Sequence, residues 1–303
     1  MTTAHLLAHQ SFPVTPATLW QAWNLAPEVL IPLSLTLAVY GWGVWILQQR
    51  LGWGRGVRRW QIGCFLGGWV TLVVALVSPL DGLSETLFAA HMVQHLLLLL
   101  VAPLLFVLSR PLAVLVWTLP PRLRRQVGAQ WPRRGWLRRA WHGLTLPPVV
   151  WMLHTALLWI WHVPALYEAA VLYDWVHVLE HACFFGAAAL LWWAVIHPRG
   201  GSRRYGIGIL ILFLTALQGG ALGALLTFSP TPWYPIYGLF TRAWGLTPLD
   251  DQQLAGLIMW IPPGIFYLGV IIGLFVAWLT AVEREMEQQE SPVGPTIVEG
   301  RIS

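Results

Sequence analysis

The chain has little charge. Only 10% of its 303 residues are Asp, Glu, Lys or Arg, while 57% are hydrophobic. A soluble globular domain carries about a quarter charged residues, so this composition excludes that class. Lysine is absent, and all 18 basic residues are arginine. Cysteine is scarce too, with Cys64 and Cys183 alone. Two such distant thiols make neither a disulfide framework nor a CxxC site. No triad, paired carboxylates, phosphate loop or nucleotide motif is present, so hydrolysis and phosphoryl transfer have no support and a non-enzymatic role is expected. No basic n-region with a short apolar segment opens the sequence, so no cleaved signal peptide is expected.

What the chain does have is apolar runs close to the 20 residues that cross a bilayer. Seven spans are expected, at roughly 28–48, 60–79, 86–108, 147–161, 171–196, 206–228 and 252–281. The expected fold is all-α, a polytopic membrane helix bundle forming one domain over residues 28–281. An outer segment at 1–27 precedes it, and a frayed helix end and cytoplasmic tail occupy 282–303. The stretch "PLAVLVWTLP" at 111–120 is too short to span and is expected at the interface. The 21 tryptophans suit interfacial belts and large packing contacts.

Arginine placement orients the bundle. The first inter-span loop holds Arg50, Arg55, Arg58 and Arg59. Arg110, at the end of the third span, precedes a loop with seven more, and the fifth holds Arg199, Arg203 and Arg204. The alternate loops hold only Arg242, and residues 1–27 hold none. The positive-inside rule then gives N-out and C-in, which seven spans require. The net charge of +5 could suggest nucleic acid, but a membrane accounts for it better, and no nucleic-acid partner is expected. In "PRLRRQVGAQWPRRGWLRRAW", Trp131, Trp136 and Trp141 alternate with arginines. That reads as an anchor to anionic lipid, with a docking surface as the alternative.

Orientation turns the histidines into a depth map. The third span runs inward and puts His91 and His95 in its outer half. The fourth runs outward, with His154 in its outer part and His162 at its end. The fifth runs inward, with His177 and His181 in its outer half. Residues four apart share one helix face, so His91 with His95 and His177 with His181 form two pairs at matched depth. A lone membrane histidine is ordinarily a hydrogen-bonding strut. Two such pairs point instead to one ion, because each buried polar group is costly. Imidazole suits copper, zinc, iron and nickel, and Met92 and Met259 offer thioethers that favour Cu(I). His154 and His162 are eight residues apart, about 12 Å along a helix, and should not share an ion. Glu180 reads as an orienting or packing partner. Tyr167, Glu168 and Asp174 read as interfacial, and the loop "TFSPTPWYPIYGLFTRAWGLTPLDDQQ" reads as a lid over the outer face, with docking of a partner as the alternative. His5 and His9 could capture metal at the surface.

The stretches "HMVQHLLLLLVAPLLFVLSRPL", "WIWHVPALYEAAV", "HVLEHACFFGAAALLWWAVI", "GALLTFSPTPWYPIY" and "DQQLAGLIMWIPPG" extend over most of residues 86–281. Together they resemble the CtaG family of bacterial cytochrome c oxidase assembly factors, the multi-span membrane type. The resemblance implies a role in maturing the copper centres of a terminal oxidase in the bacterial plasma membrane, with oxidase subunits as partners. Copper, as Cu(I) or Cu(II), would then be held by His91, His95, His177 and His181, with His154 or Met259 completing the shell. The residues leave open a haem-binding cytochrome or a metal transporter, and a homo-oligomer is compatible with them. Haem favours single histidines across a wide gap rather than tight pairs, and a transporter would need a polar trail through the inner half, which the sequence lacks.

Overall fold

A computed structural model describes residues 14–52, 54, 56–126, 135–197 and 203–290. His5, His9, Arg55, Trp131, Arg199 and the tail beyond 290 lie outside the described residues. Those described form helices and connecting turns, with no strand among them. The helices are α1 (Pro27–Leu51), α2 (Arg59–Leu76), α3 (Pro79–Ser84), α4 (Phe88–Ser109), α5 (Pro111–Thr118), α6 (Gly135–Leu144), α7 (Pro147–Trp161), α8 (Pro164–Leu172), α9 (Asp174–Ile196), α10 (Arg203–Phe228) and α11 (Pro248–Glu290).

Six of these are long and apolar enough to cross a membrane, and α6 with α7, bent by 61°, makes a seventh. The protein is therefore a multi-pass helical membrane bundle, as its composition requires. Prolines set several helix starts: Pro27, Pro111, Pro147, Pro164 and Pro248 each open a helix, where a missing N–H costs nothing. The helix end expected from 282 continues through Glu290, in a segment of good helix formers.

Helix α4 is central and packs on α2, α9 and α11. Its middle carries a π turn at Leu97–Val101. Pro103 has no N–H to give the Leu99 carbonyl one turn back, and its ring crowds that oxygen. The indole N–H of Trp192 on α9 donates to it instead, at 3.4 Å. The most extensive helix pair is α10 with α11. There Gly223 and Gly256 let the backbones nearly touch: a Cβ on Gly223 would lie 2.8 Å from the Gly256 carbonyl oxygen. Small residues at such crossings replace the hydrophobic driving force that lipid removes. The chain reverses after α4 at Arg110, with φ 51°, and α5 packs its buried Val114 against Gly43 of α1. Large apolar side chains such as Leu66, Leu210, Ile265 and Leu268 remain exposed on the outward faces, where lipid tails can cover them.

The bundle has two unlike ends. One carries the first halves of α4 and α9, the end of α7, α3, α8, the segment from Val14 to Ala26 and the 229–247 connection. It is called the histidine end below. The other carries α5, α6 and all the described arginines except Arg242, and is called the arginine end.

Candidate metal centre

At the histidine end, the N-terminus of α4 needs an external partner. Its own N-cap residue, Leu87, has no polar side chain. Asp251, on the first turn of α11 and fully buried, supplies the cap. Its two carboxylate oxygens accept from Phe88 N at 2.7 Å and Ala89 N at 3.0 Å. A carboxylate on the first amides of a helix satisfies otherwise orphaned N–H groups and complements the positive end of the helix dipole. This fixes the depth of α4 and hence of His91, one turn further along.

The i,i+4 spacing then brings the imidazoles together. His91 and His95 face each other with their Nε2 atoms 2.7 Å apart. On α9, the rings of His177 and His181 lie 4.1 Å apart between centroids. The two helices meet: the His91 ring lies 5.3 Å from that of His177, and the His95 ring 5.5 Å from that of His181. Glu180, on the same face of α9 and 0% exposed, points its Oε2 at both His91 Nε2 and His95 Nε2 from 3.7 Å. That is too long for a hydrogen bond. One donor atom each from His91, His177, Glu180 and His181 all lie within 4.8 Å of one another.

The hydroxyls around His91 favour a proton on its Nδ1. Burial raises the phenol pKa values of Tyr234 and Tyr237 in the 229–247 connection, so both hydroxyls keep their protons. Tyr237 donates its proton to the Ser84 carbonyl, which can only accept, at 3.3 Å. Its oxygen is then the acceptor for Tyr167 O–H at 2.9 Å and for His91 Nδ1–H at 3.4 Å. With the proton on Nδ1, His91 Nε2 presents a lone pair to the cluster. His162 follows the same logic. Its Nδ1 lies 2.7 Å from the Leu158 carbonyl and must donate, which leaves an Nε2 lone pair with no partner among the described residues.

The structure thus brings together His91, His95, His177 and His181, and adds Glu180 to their midst. His162 stands at the edge, its ring 6.3 Å from that of His95. His154 is also buried, with both ring nitrogens unpartnered, but no ring contact joins it to the four among the described residues. Met259 and Met92 are both buried in the neighbouring apolar cluster with Phe88, Leu99 and Trp161. One expectation needs correcting. Tyr167 is not interfacial: it is 0% exposed, 5.2 Å from the His91 ring, because α8 tucks beneath Tyr234 and Tyr237. Tyr234 of the 229–247 connection also donates to the His162 carbonyl at 2.7 Å.

The donor set fits a metal ion. Four nitrogen donors on a tetrahedral ion with bonds of about 2.0 Å stand roughly 3.3 Å apart. Here His91 Nε2 and His95 Nε2 lie 2.7 Å apart and each 3.7 Å from Glu180 Oε2, and the set that lies within 4.8 Å is three imidazoles with one carboxylate, without His95. His177 Nε2, His181 Nε2, His95 Nδ1 and both Glu180 oxygens are buried without a hydrogen-bond partner among the described residues. Such groups are costly unless something else satisfies them. Imidazoles with one carboxylate suit copper, zinc and iron.

Residues in an uncharacterized protein from Mycobacterium bovis, Mb0105, are 28% identical over 244 residues, covering 76% of this chain and 36% of that protein. The uncharacterized protein MT0111 of Mycobacterium tuberculosis matches to the same extent, and ML1998 of Mycobacterium leprae is 27% identical over 236 residues, 74% of this chain and 35% of its own length. The chain therefore spans about a third of the length of these curated relatives. No solved structure matches it. Residues 38–281, which include every helix of the candidate centre, match the family described as cytochrome c oxidase caa3 assembly factor, and the chain belongs to that family.

Proposed function

We propose that the protein is a non-enzymatic, copper-binding assembly factor that helps mature the copper centre of a cytochrome c oxidase. Copper is its cargo. His91, His95, His177 and His181 hold the ion, and Glu180 supplies a negative charge that offsets the cost of placing a cation inside the bilayer. His162 stands ready as an exchanging ligand. The observation that carries this reading is the convergence of four imidazoles, His91 and His95 buried and His177 and His181 half-buried, on the buried carboxylate of Glu180, in a chain from an oxidase assembly family. By the arginine distribution the histidine end faces outward from the plasma membrane, the side on which an exported recipient would be met. Oxidase subunits are the partners, and the arginine end holds anionic lipid.

Elemental analysis of purified protein tests the metal. Wild type should retain copper, while a variant with alanine at 91, 95, 177 and 181 should lose it and still fold. In cells, copper per oxidase and oxidase activity should fall together in that variant while oxidase subunits and haem are still made. Equal copper in both purified proteins would reject the site. Full copper loading of the oxidase in cells with the variant would reject the assembly role.

A further inference from the structure

A cleft of about 650 Å³ opens at the histidine end, between the segment from Val14 to Val29, α3 and the start of α9. Its floor includes His177 and His181 of the candidate centre. Its walls include Glu28, Asp81, Glu85 and Asp174, four of the chain's 13 carboxylate side chains. No arginine is among its lining residues. The composition is therefore one-sided: four acids and two imidazoles, with no opposing cation.

One of the carboxylates is held in place by neighbours. Asp81 accepts from Asn24 Nδ2 and from Gln94 Nε2, both at 2.7 Å. Gln94 also donates to the Ala75 carbonyl, so α2, α3, α4 and the segment before α1 that carries Asn24 are tied together at this wall. Asp174 sits on the first turn of α9, one turn before His177. Glu28 and Glu85 are exposed on the cleft walls. An acidic cluster on a surface can be no more than solvated charge. Here a separate feature points to a ligand: the Nε2 atoms of His177 and His181 are closed off from water, lack hydrogen-bond partners among the described residues, and belong to residues that line the same cleft.

We infer that this cleft is the loading route by which a cation reaches the histidine cluster, with Glu28, Glu85 and Asp174 drawing it in and His177 and His181 taking it over. The inference rests on the metal reading above and adds the path and its electrostatics. A cleft lined by one sign of charge, with low-dielectric walls, raises the local concentration of the opposite ion and its association rate. The ligands change along the path. Carboxylates at the mouth hold a hydrated cation weakly and exchange it fast, whereas imidazoles at the floor bind a borderline metal more firmly. The order runs from weak to strong and draws the ion inward. The mouth carboxylates are not needed to hold the metal once it is bound.

That separation of rate from occupancy is the test. Metal-stripped full-length protein in neutral detergent micelles is mixed with limiting cupric sulfate, and loading is followed by quenching of tryptophan fluorescence. Copper bound at equilibrium is measured in parallel. The probe variant is Glu28→Gln/Glu85→Gln/Asp174→Asn, and Glu28→Gln alone serves if the triple variant folds poorly. Loading of wild type should slow as salt is raised. The triple variant should load about tenfold more slowly at low salt, with little salt dependence and unchanged copper at equilibrium. Equal loading rates for the two proteins, or a wild-type rate indifferent to salt, would overturn the route while leaving the metal site standing. Equal rates with copper lost from the triple variant would make these acids ligands and overturn the route as well. No copper bound by wild type would remove the site and the route together.

Discussion

The two ends of the bundle solve the same packing problem with opposite chemistry. Toward the arginine end, α4, α9, α10 and α11 meet through Leu100, Val107, Trp192, Val195, Leu212 and Tyr267, a core of aliphatic and aromatic side chains. Its polar requirement there is small, and one indole N–H on the Leu99 carbonyl illustrates how it is met. Toward the histidine end α4, α9 and α11 meet α8, the end of α7 and the 229–247 connection through five histidines, Glu180, Asp251, Gln252 and three tyrosines. A membrane helix gains nothing in stability from that choice, since apolar packing is available one turn away. The difference separates a half that packs for cohesion from a half that gathers the polar groups on which the proposed copper site rests.

Replacing Trp192 by alanine should break the cohesive half most strongly. Trp192 is 0% exposed and packs on Phe266 and Tyr267. Truncating a buried tryptophan costs about 3–5 kcal/mol through lost contacts and the cavity left behind. Here it also leaves the Leu99 carbonyl without its donor. Unfolding measured in mixed micelles should show that loss, while copper per folded protein stays at the wild-type level. A fall in copper affinity as large as the fall in stability would mean that the two halves are one cooperative unit.

Asp251→Ala should lie between the halves, lowering both stability and copper affinity. It strips two charge-assisted hydrogen bonds from the start of α4 and leaves two buried amides unsatisfied, at a cost of about 2–4 kcal/mol. Because α4 then loses the contact that sets its depth, the His91–His95 pair should shift against His177 and His181. Copper affinity should drop along with stability. Asp251→Asn keeps one acceptor and should do less of each. Normal copper affinity in the alanine variant would show that the cap is structural only.

The sequence made the two histidine pairs legible because helical periodicity is local: four residues is one turn, whatever the rest of the chain does. The apolar runs made the span count legible for a similar reason, since each run is read by itself. What was not legible is contact across the chain. Asp251 caps an amide 163 residues away, and Tyr237 meets His91 across 146. Neither residue carries a local signal distinguishing it from an ordinary interfacial side chain. The choice between His154 and His162 depended on where α7 stops. It ends at Trp161, so His162 becomes the cap residue, with φ −89° and ψ 1°, and brings its ring toward His95. Glu180 was visible as the neighbour of His181, but its place between two helices follows from packing alone.

The smallest effect should come from Glu85→Gln, and it separates the cleft from both halves. Glu85 opens into the cleft, yet the surrounding walls disfavour its charge, and Asp81 and Asp174 add repulsion. Together they push its carboxyl up to about 7. The folded protein thus holds a proton there between the ordinary carboxylate value and about 7, which the unfolded chain releases. The sign follows: ionising Glu85 opposes folding slightly as pH rises toward 7, so the glutamine variant should unfold no more easily than wild type near neutrality. A cation entering the cleft favours the ionised form and displaces that proton. Wild-type copper loading should therefore speed up as pH rises from 6 to 8 and level off beyond it. His177, His181, Asp81, Asp174 and Glu28 also face the cleft, and all of them remain in both proteins. The ratio of wild-type to Glu85→Gln loading rates isolates the one group that differs. That ratio should be near one at pH 6 and climb through 7, with equilibrium copper unchanged. A flat ratio across this range would show that Glu85 takes no part in bringing the cation to the histidines, and that the steering belongs to Asp174 and Glu28.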